Sequence, residues 1–141
     1  MFGALQELTN ALALLLMGMA IGAGWICTMA APNLFYDKLD GGRANTQVRS
    51  LLLAGSTPIA GMLLGGGAAA ILGGAYGAGL VSILASLGFF SNRWTLAPHK
   101  RGETPPGARR KRKTERVVAV GLSLMFLLVA VVAAVLVVLG I

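Results

Sequence analysis

Long uncharged stretches alternate with two polar ones along this chain. Ala11 to Ala31 carries no charge and matches the roughly 20 apolar residues that a membrane-spanning helix requires. Pro32 and Asn33 follow and predict its end. A polar stretch comes next, holding Asp37, Lys38, Asp40, Arg43, Asn45 and Arg49. Leu51 to Phe90 is again free of charge. One helix of that length would run about 60 Å at 1.5 Å per residue, twice the thickness of the hydrocarbon core, so the run must fold back. Gly73 and Gly74 are the best turn, helped by Gly77 and Gly79. Val117 to Gly140 is a last apolar run, rich in Val and Leu.

The pattern predicts an all-α integral membrane protein. It places four transmembrane helices, as two helical hairpins, near 11-31, 51-72, 75-91 and 117-140, in a single membrane domain over 1-141. The third helix is short. Trp94 at the interface and Arg93 reaching toward water complete it. A basic loop, 93-116, precedes the last helix, and Pro105, Pro106 and Gly107 argue against regular structure at its centre. Composition agrees: 12% of the residues are charged, against about 25% in a soluble domain. Met1 to Asn10 lacks the basic residues of a secretory signal, so the first apolar run is expected to be a retained helix.

Charge then orients the helices. Lys38, Arg43 and Arg49 in the first polar stretch, with Arg93, Lys100, Arg101, Arg109, Arg110, Lys111, Arg112, Lys113 and Arg116 in the second, account for all 12 Lys and Arg. Four spans put both stretches on one side. By the positive-inside rule that side is cytoplasmic, and both termini face away from it. A bacterial inner membrane is the expected setting.

Within the spans, helices associate by close packing rather than by a hydrophobic drive. Gly18-x-x-x-Gly22 and Gly61-x-x-x-Gly65 are the candidate packing faces, either for the protein's own helices or for a partner subunit. The last helix, interrupted only by Gly121 and Ser123, reads as the most lipid-exposed. Pro58 predicts a kink, with Ser56 and Thr57 beside it to satisfy the freed backbone.

Chemistry is sparse. Apart from Cys27 and Tyr76, no ionisable residue lies in the apolar runs. That argues against a proton relay, an ion-coupled transporter, a voltage sensor or a buried metal site. No cofactor is expected. Cys27 reads as a small hydrophobe, His99 as a solvated loop residue, and Asp37 with Asp40 as a solvated turn. Trp25, Asn33 and Tyr36 at the basic end of the first helix are either interfacial residues or the lining of a small-molecule pocket. The run Arg109 to Lys113 holds the loop inside. It can also bind anionic lipid headgroups or an acidic partner. Nucleic acid is disfavoured, because no aromatic residues interleave with the charges.

The segment Ala30-Ala31-Pro32-Asn33-Leu34-Phe35-Tyr36-Asp37-Lys38-Leu39 resembles the end of the first helix in small uncharacterised four-helix membrane proteins. Asn92-Arg93-Trp94-Thr95-Leu96-Ala97-Pro98 is similar to their Asn…Pro element. Some of those relatives are called anthrone-oxygenase-like. The resemblance implies a four-helix membrane fold; no residue cluster in the sequence carries an oxygenase. The function expected is a non-catalytic membrane subunit that packs within or stabilises a larger assembly. The rival is a small membrane enzyme or binder of an apolar molecule.

Overall fold

Helix accounts for nearly all of the computed structural model, which describes residues 2–96 and 108–141, with side chains for 3–96 and 117–141. The elements are α1 (Phe2–Trp25), a π-helical turn (Ile26–Ala30), α2 (Ala31–Lys38), α3 (Gly41–Leu72), α4 (Tyr76–Thr95) and α5 (Ala108–Leu139). Three rods are long and apolar enough to cross a membrane: the continuous Gly3–Lys38, Gly41–Leu72, and Val117–Leu139 within α5.

The first rod does not stop at Pro32 and Asn33 as the sequence predicts. It runs on to Lys38 through the π turn, where the Ala31 N–H donates to the Ile26 carbonyl, five residues back. Proline cannot donate, and its ring crowds the carbonyl four residues before it. The wider turn offsets the register, so that Pro32 falls in the first turn of α2, where a missing N–H is tolerated.

The first polar stretch is likewise mostly helical, and only Leu39 and Asp40 interrupt it. Residues 41–50 form three further turns of α3 because Ala44, Val48 and Leu52 repeat at helical spacing and are buried. Val48 and Leu52 pack with Leu96 and Ala119, and with Phe35 of α2. The second polar stretch is shorter than expected: α4 continues to Thr95, and α5 begins at Ala108. His99, Lys100, Arg101, Pro105, Pro106 and Gly107 lie outside the described residues. The backbone of Arg109 to Lys113 is already helical.

The turn between α3 and α4 is where the glycines predict it. Gly74 has a φ of 86°, the left-handed conformation that favours glycine. Gln6 of α1 donates from Nε2 to the Gly73 carbonyl at 2.8 Å. The Ala78 N–H donates to the Ile141 carbonyl at 3.1 Å. The start of α1, this turn and the end of α5 therefore share one end of the bundle. Arg49, which donates from Nε and Nη2 to the Leu96 carbonyl at 3.1 and 2.7 Å, marks the other. Around the bundle α1 packs on α3, α3 on α4, α4 on α5, and α5 on α1.

Many small residues fill the interior beside a few large ones such as Phe89 and Met17, and many large ones face out. Ala20, Ala60, Ala85 and Ala130 are buried, while Leu15, Leu64, Leu84 and Leu128 are exposed. Two helix backbones approach closely at Gly67 and Gly79, where a Cβ built on either would lie 3.0 or 2.8 Å from the other's carbonyl oxygen. Gly24 packs on Leu127, Gly66 on Met17 and Gly88 on the Phe126 ring. The glycines chosen by spacing are mostly elsewhere. A Cβ on Gly18, Gly22 or Gly61 would meet nothing within 4 Å, and one on Gly65 would only touch Leu16 at 3.5 Å. These glycines face outward, so the chain's own helices do not pack through Gly18, Gly22 and Gly61. Nor is the last helix alone in its exposure: 28% of its apolar window is buried, the same share as in the first rod.

Candidate functional site: a polar cavity at the π turn

The π turn places two polar side chains, Cys27 and Thr28, against the centre of the bundle. Turns of this kind recur at functional sites because the extra residue redirects side chains. Across from them lie Ser56 of α3, Asn92 of α4 and Ser123 of α5, around a cavity of about 10 Å³. Leu52, Ile59 and Phe89 form its apolar walls. Thr28, Ser56, Asn92 and Ser123 are all at most 4% exposed.

Each hydroxyl in this group donates its proton to its own helix. Thr28 Oγ1 donates to the Gly24 carbonyl at 2.7 Å. Ser56 Oγ donates to Leu53 at 3.0 Å, and Ser123 Oγ to Ala119 at 2.8 Å. Such back-bonding lets serine and threonine sit inside a membrane helix. Ser123 Oγ, its proton committed, accepts from Asn92 Nδ2 at 2.7 Å. That bond fixes the orientation of the Asn92 amide and leaves Oδ1, buried, with no hydrogen-bond partner. The Cys27 thiol packs on Gly55, where a Cβ would lie 2.8 Å from Sγ.

Two further serines tie α4 to α3. Ser82 Oγ donates to the Leu63 carbonyl and Ser86 Oγ to the Ala60 carbonyl, both at 2.7 Å. Every polar side chain of the middle of α4 is thus turned inward and bonded across a helix pair.

The cavity is not the one expected from Trp25, Asn33 and Tyr36. All three are exposed, and none lines the cavity. The π turn rotates Asn33 and Tyr36 relative to Trp25, and Tyr36 Oη instead donates to Asn45 Oδ1 at 2.7 Å across the α2–α3 junction. Cys27, expected to be a plain hydrophobe, lines the polar cavity. The sequence carried one signal for it: Thr28, Ser56, Asn92 and Ser123 are polar residues within or bordering apolar runs. Their convergence depends on helix rotation, which a π turn of no fixed sequence pattern helps to set. Among the described residues, no three His, Cys, Asp or Glu side chains come together to hold a metal ion. No family model matches the chain, and no curated protein or solved structure matches it.

Proposed function

We propose that this protein is an integral membrane subunit with four spans in two helical hairpins, which docks a partner membrane helix and has no catalytic role of its own. The span not counted by hydropathy is α4, and its faces supply the argument. Its outer face carries Leu80, Leu84, Leu87, Phe90 and Trp94, all exposed, while Ser82, Ser86 and Asn92 are buried. A helix in water does the reverse. Tyr76 and Trp94, 65% and 80% exposed, are 18 residues apart, about 27 Å along the helix. That matches a hydrocarbon core of about 30 Å with an aromatic residue at each interface.

The observation that carries the docking role is the open space at Gly18, Gly22 and Gly61. Small residues four apart on a lipid-facing surface let a second backbone approach closely. With all Lys and Arg assigned to one end, that end is cytoplasmic, the termini are on the other side, and a bacterial inner membrane fits. Arg109 to Lys113, just before the last span, tether that end to anionic lipid or an acidic partner.

Purification from native membranes in mild detergent tests the reading. A stoichiometric membrane partner is expected. Gly22→Leu is expected to release it while the melting temperature of the purified protein stays the same. A monomer that carries a bound small molecule and no partner would overturn it in favour of a ligand binder.

A further inference from the structure

We infer that the cavity at the π turn is a binding site for one neutral, water-sized hydrogen-bond donor, a water molecule that bridges the π turn to α4. Asn92 Oδ1 is the anchor. Asn92, 1% exposed, lines the cavity; one of its Nδ2 protons goes to Ser123, and its Oδ1 is buried without a hydrogen-bond partner. A buried carbonyl oxygen at membrane depth has no bulk water to turn to, and leaving it unmatched is costly. The oxygens of Thr28 and Ser56 add acceptor capacity on the same walls, because their protons are spent on Gly24 and Leu53. The Cys27 S–H, whose proton is not placed on a helix carbonyl, is a donor on the wall beside the second Nδ2 proton of Asn92. The site therefore asks for a ligand that gives two protons and accepts one.

Size and charge select the ligand. A cavity of about 10 Å³ is room for a single water, which typically makes about three hydrogen bonds when buried. Two donated bonds, to Asn92 Oδ1 and to a hydroxyl oxygen, and one accepted from Cys27 meet that number. No carboxylate lines the cavity to offset the charge of a cation in an apolar bundle. The bound molecule would join the π turn, α3 and α4 at one point, and through Asn92 also α5. This site is independent of the partner-docking face.

Magnetisation transfer from water to the full-length protein in lipid nanodiscs tests it directly. Long-lived water signals to the Asn92 side-chain amide and the Thr28 methyl are expected; their absence in the folded protein overturns the assignment. A double-mutant cycle gives a second reading. Cys27→Val adds a carbon to the cavity and displaces the water, with a fall in melting temperature on the order of 5 °C expected from the stranded acceptor. Asn92→Leu removes the acceptor and strands no donor, so adding Cys27→Val to it should lower the melting temperature much less. Equal losses in both backgrounds would mean simple overpacking and overturn the proposal. So would a water signal and stability that change when sodium is replaced by choline, since the ligand would then be a cation.

Discussion

At Gly79 an added carbon would have to share space with the Gly67 carbonyl oxygen, 2.8 Å away, and backbone cannot move aside as a side chain can. Gly79→Ala is therefore expected to lower stability in detergent by about 1–3 kcal/mol, the usual range for overpacking. Gly22→Ala and Gly121→Ala, whose new carbons would meet nothing within 4 Å, should change it by less than about 1 kcal/mol. Comparable thermal melts of all three would refute the packing described. Gly18-x-x-x-Gly22 is the spacing of a close helix contact, and spacing was legible in the sequence. Which way the stripe faces was not. Facing depends on where Ala13, Met17 and Ala20 pack, and those residues look no more buried in the sequence than Leu12 or Leu15, which are exposed.

At the scale of the element, the junction of α3 and α4 at the charged end rests on Arg49. Its guanidinium places two N–H groups on the Leu96 carbonyl, the kind of orphan acceptor that a helix end leaves. Arg49→Leu is expected to cost about 1–2 kcal/mol, discounted for partial exposure, and to speed amide exchange in the last turn of α4 before that of its middle. Uniform exchange along α4 would contradict this. The apolar runs and the glycine turn were legible because each has a strong local signature. The π turn has none. A proline after an apolar run ordinarily reads as a stop, and only the burial of Pro32 and the contact of Phe35 with α3 make continuation favourable. The extension of α3 over residues 41–50 was concealed in the same way: its buried stripe, Ala44, Val48 and Leu52, is sparse among polar neighbours.

At the scale of the whole molecule, the proposed topology makes the chain electrically lopsided. All four described cations in helices before the last one, Lys38, Arg43, Arg49 and Arg93, lie toward the end opposite Gly73, while Glu7 is near the start of α1. Labelling single cysteines at residues 2 and 106 from each side, in a Cys27→Ala background, should modify the two from opposite sides. Modification of both from one side would refute four spans. Replacing Arg109 to Lys113 with Gln should weaken retention on anionic vesicles, and the loss should shrink as salt rises, because exposed charges are screened within roughly 8 Å at physiological ionic strength. Loss of a protein partner that persists at high salt would identify docking instead. A flipped orientation with neither loss would leave the run a topology signal only.

The two serines that α4 turns toward α3 also bear on how such a chain enters a bilayer. Alone in lipid, α4 would present Ser82, Ser86 and Asn92 to hydrocarbon; beside α3, the first two find the Leu63 and Ala60 carbonyls. In the proposed topology α4 is thus a dependent passenger of the translocon. It partitions into the membrane together with α3 as a hairpin, and the Asn92 amide N–H finds its protein acceptor only after α5 brings Ser123 alongside. A reporter fused after Thr95 should integrate efficiently behind α3 and α4 together and poorly behind α4 alone. Gly73→Pro and Gly74→Pro, which oppose the tight turn, should cause synthesis-stage failure in cells, seen as rapid degradation of the newly made chain.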